Sequence, residues 1–178
     1  MVPSIRVLTV TSDLKGVVCR MLRAAVDADR DTVLVWRNHP EVRRVSLSTH
    51  VIGAEEHARW WTAATTDPAR HVLIFCDDGV PAGVVLFDLR RDPAVWSFYL
   101  DVAGLGAALL PAWMRLEREA VAYAFGELGL DRLGGEALAS NRQVLALHRR
   151  FGFRELRRYE RLVDGTPQTV VWTERGRQ

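Results

Sequence analysis

Apolar positions along this chain recur at two different spacings, and the switches between them mark out its elements. Ile5 to Val10 alternates and stops at Ser12-Asp13 and Gly16, which reads as an added edge strand or a loosely attached extension over residues 1–16. Gly16 to Val26, GVVCRMLRAAV, is a strand candidate. Asp27 has N-cap chemistry ahead of Val33, Leu34 and Trp36, which predicts a helix. That helix must end near Asn38, because Pro40 disfavours helical geometry at His39. Val45 to Ser48 is a short strand candidate. Glu55 and Glu56 put negative charge in the first turn of a helix that carries Trp60 and Trp61 and stops before Pro68.

The middle of the chain carries a strong hairpin signal: apolar His71 to Cys76, then Asp77-Asp78-Gly79, then apolar Ala82 to Phe87. A further strand is predicted from about Val95 to Val102, after the turn-like Arg91-Asp92-Pro93. Gly104-Leu105-Gly106 precedes a long helix from about Ala107 to Leu128, with Leu109, Leu110, Trp113, Leu116, Val121, Ala124, Phe125 and Leu128 largely at helical spacing. Gly129 ends it, and Leu133 to Leu138 reads as the next strand. The segment after Asn141 places Val144, Leu145, Leu147, His148 and Phe151 on one side of a helix that Gly152 and Phe153 terminate. Arg154 to Val163 and Thr169 to Trp172 flank Asp164-Gly165, a hairpin turn. Meander and crossover units in one chain imply an α/β fold, a mixed and mostly antiparallel sheet with helices on both faces.

Composition bounds what such a fold does. With 178 residues, 48% of them hydrophobic, the natural reading is one domain over residues 17–178 after the N-terminal extension. The formal charge is only +2, yet Lys15 is the one lysine among 24 basic residues. A GC-rich coding bias and a selected anion surface both explain that arginine excess. Arg149, Arg150, Arg154, Arg157, Arg158 and Arg161 form a local cluster, read either as a solvated face or as a landing site for phosphates or nucleic acid. Cys19 and Cys76 lack CxxC spacing and sit in apolar runs, so buried reduced thiols and no metal centre are expected. There is no leader-like h-region and no apolar run of transmembrane length, which points to a cytoplasmic protein without a membrane partner.

Two segments carry chemistry. A strand that ends in Gly104-Leu105-Gly106 and feeds a helix N-terminus can present backbone N–H groups to an anion, although a tight packing turn uses the same glycines. The stretch EALASNRQVLALHRRFGF, Glu136 to Phe153, is a strand, an Asn, an amphipathic helix and a Gly-Phe stop. Taken together, these segments resemble the cofactor half of the GCN5-related N-acetyltransferases. Leu22 to Trp61 resembles the sugar-nucleotide N-acetyltransferases of pseudaminic acid biosynthesis, through Trp36-Arg37-Asn38-His39-Pro40, His50-Val51-Ile52 and Glu55-Glu56-His57. The resemblance covers roughly residues 20–173.

What the resemblance implies is a fold with a splayed central strand pair and transfer of an acetyl or other small acyl group from acetyl-coenzyme A to an amine. It implies cofactor contacts at Tyr99, Leu100, Val102, Gly104, Leu105, Gly106, Ala107 and Asn141, and polarisation of the thioester by backbone N–H groups of Ser97–Val102. Two departures stand out. Asp101-Val102-Ala103 precedes Gly104 with no opening Gln or Arg, and the following helix is about two turns longer than usual for the family, at ~3.6 residues per turn. Where the family usually carries a tyrosine acid, this chain has His148. A free imidazole titrates near ~6.5 and a thiol near ~8.5, so histidine can protonate a leaving thiolate. Glu136 is the candidate to accept the amine proton, with an ion pair to an arginine as the plain alternative. Trp36, Arg37, Asn38 and His50 are the substrate candidates, Trp36 also reading as a packing residue.

The acceptor expected is a small polar amine, with a nucleotide-linked amino sugar first and a natural-product precursor next. Alternatives keep the fold but use aminoacyl-tRNA or a carrier-bound thioester as donor, or leave a non-catalytic acyl-coenzyme A binding module. Nucleic acid otherwise counts as a poor partner, and a homodimer is an open expectation.

Overall fold

The computed structural model describes residues 21–177, so the extension over residues 1–16 and the first five residues of the Gly16–Val26 segment lie outside the described residues. Within them, β1 (Leu22–Ala24) leads through a 3-10 turn (Asp27–Asp29) into α1 (Arg30–Asn38), α2 (Pro40–Arg44) and α3 (Ala54–Thr65). There follow β2 (Arg70–Asp77), β3 (Val80–Asp88), β4 (Ala94–Leu100), α4 (Val102–Leu105), a 3-10 turn (Gly106–Ala108) and α5 (Leu109–Gly126). The chain closes with β5 (Arg132–Leu138), α6 (Arg142–Arg150), β6 (Arg154–Val163) and β7 (Thr166–Gly176). The strands form a seven-stranded sheet in the order β1-β2-β3-β4-β5-β7-β6, antiparallel except for β4 against β5.

Side chains of β2 alternate between two cores, as a strand period of two requires. Val72, Ile74 and Cys76 meet Val33 and Trp36 of α1 and Trp61 and Ala64 of α3. Leu73 and Phe75 face the other way, into the cluster built on Ala112, Leu116, Ala120 and Ala124 of α5. That second cluster also takes Leu133 of β5 and Phe153, so α5 spans both halves of the sheet. The β2–β3 hairpin turns on Asp78 and Gly79, at φ 49° and 81°, the left-handed conformation that the Asp-Gly pair suits.

Three local expectations are corrected. Asp27 does not cap the first helix: its carboxylate accepts from the Trp61 indole at 3.1 Å, and Asp29 instead takes the Val26 N–H at 2.8 Å and pairs with Arg23. Pro40 ends α1 as predicted, yet it sits at the start of α2, where its missing N–H costs nothing and His39 Nδ1 accepts from Glu41 N–H. Val45–Ser48 is a loop rather than a strand. It is tied down at its far end by the β6–β7 turn, where the Asp164 carboxylate accepts from Thr49 N–H at 2.6 Å and from its hydroxyl. Cys76 is disulfide-bonded, against the expectation of a reduced thiol; Cys19 lies outside the described residues.

Gly83 of β3 lies opposite Leu100, where a Cβ would come within 2.7 Å of Leu100 Cδ2 and 2.8 Å of the Tyr99 carbonyl oxygen. Gly83→Ala should therefore displace the end of β4 and destabilise by ~1–3 kcal/mol, lowering Tm by roughly 3–10 °C in a thermal melt.

Candidate active site

β4 and β5 share two residue pairs, Ala94↔Leu133 and Val95↔Gly134, and then part. No bulge is needed for this, because β4 keeps an unbroken register with β3 from Asp88↔Val95 to Gly83↔Leu100. Asp101 N–H donates to Ala82 O at 2.8 Å, so by alternation Tyr99 and Ser97 also bond to β3. The backbone groups of Phe98 and Leu100 must then face the gap, where β5 offers them nothing. This narrows the groove-facing amides, expected anywhere along Ser97–Val102, to Phe98 and Leu100.

A cavity of about 540 Å³ occupies the gap and reaches both faces of the sheet. One end is lined by Phe98, Trp113, Asn141 and His148, and the other by Arg37, Ser48, Glu136 and Arg161. Each end is lined by a residue with a buried donor that has no partner among the described residues, Trp113 Nε1 at the first and Arg37 Nη1 at the second. Leaving such a group unpaired costs ~1–3 kcal/mol, which an acceptor that reached it would offset. Trp113 was legible only as a position on the apolar stripe of α5.

His148 is held tightly on α6. Gly152, at φ 85°, lets the chain turn back so that Phe153 N–H donates to His148 O at 2.9 Å, the predicted Gly-Phe stop. The imidazole is buried among Trp96, Phe98 and Phe153, and its Nδ1 lies 2.8 Å from Glu117 Oε1. Glu117 was not singled out from the sequence. Its signal was a carboxylate on the buried stripe of α5, one turn from Trp113 and from Val121. Asn141 caps α6 by accepting from Val144 N–H at 3.3 Å, which leaves its amide NH₂ free to donate into the cavity.

Glu136 reaches the cavity but is already engaged. It accepts the Tyr159 hydroxyl and pairs with Arg161 at 3.0 Å, the arginine ion pair that the sequence allowed. Burial, and then the bond to Glu136, push the Tyr159 hydroxyl up to about 12, so it remains a donor. Of the substrate candidates only Arg37 lines the cavity. Its Nη2 holds Ser48 at 2.8 and 2.9 Å, and burial lowers its pKa. Tyr99 packs beside it on the α1 face, its hydroxyl pushed up by burial. Trp36 is core. Asn38 clamps Ile52 through both backbone groups at 2.9 Å, and exposed His50 pairs with Glu56 at 3.0 Å.

The glycine corner differs from its reading as an anion cradle. Asp101 caps α4 by accepting from Gly104 N–H at 2.9 Å, and the N–H groups of Leu105 and Gly106 bond back to the carbonyls of Asp101 and Val102. A Cβ on Gly104 would lie 2.2 Å from Asp101 Oδ2, so the glycine is explained by the cap itself. Val102 lines the cavity, whereas Gly104, Leu105, Gly106 and Ala107 do not. Among the described residues no group of His, Cys, Asp or Glu is placed to hold a metal, and no helix is long and apolar enough to cross a membrane.

A parted β4–β5 pair with a strand–glycine corner–helix–strand–Asn-capped helix order defines an acyl-transferase architecture. A profile of the acetyltransferase (GNAT) domain family matches residues 20–154, and the chain belongs to that family. It is 24% identical over 126 residues to the acetyltransferase PseH of Campylobacter jejuni, covering 69% of this chain and 75% of that protein. Among solved structures, the spermidine N-acetyltransferase of Vibrio cholerae in complex with coenzyme A and spermine superposes with a TM-score of 0.72 at 18% identity, covering 86% of this chain and 92% of that one. A candidate phosphinothricin N-acetyltransferase gives 0.72 at 23% identity, covering 87% and 96%. The protein is thus a GNAT acetyltransferase, and acetyl-coenzyme A is the acyl donor of its family.

Phe98, Leu100, Trp113 and Asn141 line the gap together. A coenzyme A pyrophosphate bound at the glycine corner would meet the Asp101 carboxylate. Asp101→Asn keeps an N-cap residue and removes the charge, so coenzyme A should bind roughly threefold to tenfold more tightly by calorimetry, on the order of 1 kcal/mol. Unchanged affinity would mean that the phosphates lie away from this corner.

Proposed function

We propose that this protein acetylates the amine of a small anionic acceptor, with a nucleotide-linked amino sugar as the leading class and a natural-product amine next. The observation that carries this is the polarity of the cavity's two ends. The α5–α6 end is aromatic with neutral donors, suited to a thioester arm, and the α1–α2 end holds Arg37 with an unpartnered Nη1. A guanidinium left partly unpaired in a buried site favours a phosphate or carboxylate, which it binds through parallel N–H donors. The similarity to the acetyltransferase PseH and the resemblance of Trp36–His57 to the sugar-nucleotide enzymes both support that class.

In this reading the Phe98 and Leu100 amides polarise the thioester carbonyl and stabilise the oxyanion that forms when the amine attacks. Glu136, held by Tyr159 and Arg161, orients the acceptor amine at the far side of the gap. His148 supplies the proton to the departing thiolate, in the place of the family's tyrosine. Asn141 and Trp113 hold the pantetheine arm. The ion pairs of Arg158 with Glu155 and of Arg161 with Glu136 take two of the six cations out of the arginine cluster, which weakens the case for a tRNA-linked donor.

His148→Phe should lower kcat by about 10²–10³-fold while the affinity for coenzyme A stays near wild type; an unchanged rate removes His148 from the mechanism. Arg37→Gln, which keeps a donor for Ser48, should raise KM for an anionic acceptor about 10–100-fold and leave KM for acetyl-coenzyme A alone. A mass-spectrometric screen of amine acceptors with labelled acetyl donor identifies the acceptor, and uncharged amines acetylated faster than anionic ones would overturn the reading.

A further inference from the structure

The ring of His148 is enclosed on all sides but one by groups that do not titrate. Trp96 and Phe98 of β4 lie 5.4 and 6.1 Å from it between ring centres, and Phe153 lies at 5.1 Å. Arg149 and Arg150, the other charged groups of the last turn of α6, are exposed to solvent. The polar contact is Glu117, reached across the α5–α6 interface and 0% exposed, with its second oxygen lacking a protein partner. Burying a carboxylate costs several kcal/mol unless it is well paired, and an apolar residue of similar size would suit the stripe of Ala112, Leu116, Ala120 and Ala124 better. Packing therefore does not account for Glu117.

We propose that Glu117 is a positioning residue that keeps the proton of His148 on Nδ1, so that Nε2 serves the cavity as a lone pair and one imidazole carries out both proton movements of the transfer. This rests on the acyl-transfer reading of the same site and adds where the amine's proton goes. An ionised carboxylate can only accept, so at 2.8 Å it takes the Nδ1–H and sets the tautomer. As the amine nitrogen bonds to the thioester carbon, its N–H breaks and the proton moves to Nε2. The resulting imidazolium faces the Glu117 carboxylate. When the C–S bond breaks, its electron pair leaves on sulfur and Nε2 returns the same proton to it, giving amide, free thiol and neutral imidazole. Nothing has to be drawn from solvent, which suits a ring buried to 5% exposure. Glu136 can meanwhile keep its two partners.

Two measurements test this. Imidazole ¹⁵N spectra of the histidine-labelled wild-type protein, with His148 assigned by its loss in His148→Phe, should show Nδ1 protonated and Nε2 bare at neutral pH. Glu117→Leu should shift the proton to Nε2. Glu117→Gln, which keeps the shape and an acceptor oxygen, should lower kcat about 10–100-fold with KM for both substrates within about twofold and Tm retained. A wild-type proton on Nε2 would make Glu117 the donor and overturn the proposal. So would a Glu117→Gln enzyme at wild-type kcat, or one whose loss lies in KM or Tm instead. A slow His148→Phe beside a fast Glu117→Gln would remove Glu117 alone. An unaffected His148→Phe would remove the acyl-transfer role of the ring itself.

Discussion

After Val95 the sheet has two strands that no longer reach each other, and the active site is made of what this leaves unbonded. β4 is committed to β3 along its whole length and β5 to β7 along its own, so the sheet behaves as two halves hinged at two residue pairs. Backbone amides buried without partners are costly, and a sheet normally avoids them. Here the halves are held apart by an aromatic wedge, Trp96 stacked on Phe87 and on Phe153 with His148 beside them, and bound together beneath by α5. The groove is therefore a packed feature of the core rather than a surface depression. In the proposed mechanism its open amides form an oxyanion site that needs no reorganisation when substrate arrives.

The same parting separates two electrostatic environments. On the α5–α6 face, Trp113, Phe98 and His148 make an apolar compartment, with the Glu117 carboxyl buried against the His148 ring. On the α1–α2 face, Arg37, Arg161 and Glu136 make a charged one, closed by the loop that Asp164 pins from the last hairpin. Two substrates of different character can approach from opposite sides and meet in a gap one strand wide. The proposed reaction is accordingly a direct attack without an acyl-enzyme, with proximity of the two reactants supplied by the fold.

Asp101 shows how one residue pattern serves two physical ends. Glycines after a strand and before a helix suit close approach of a phosphate, yet at Gly104 the space is taken by a carboxylate that caps the helix and occupies the N–H. The glycine requirement was readable from the sequence, but its cause was not, since a missing Cβ looks the same whether the neighbour is a ligand or the chain's own aspartate. Trp36, Asn38 and His50 make a similar point: a motif that matches a family's substrate region contains one cavity residue, Arg37, and several that hold the loop around it.

What the chain's own pattern determined is everything with a local cause. Two continuous apolar runs marked β2 and β3, Asp78-Gly79 set their turn, and Asn141 with Gly152-Phe153 set both ends of α6 and so the placement of His148. Tertiary structure alone decided the loop state of Val45–Ser48, which Arg37 and the β6–β7 turn hold, and the number of pairs β4 and β5 share. It also decided that Glu117 and His148 meet across 31 residues of chain. Such contacts depend on how helices and strands already formed are packed together, and spacing along a sequence carries no record of distances between elements that only folding brings into register.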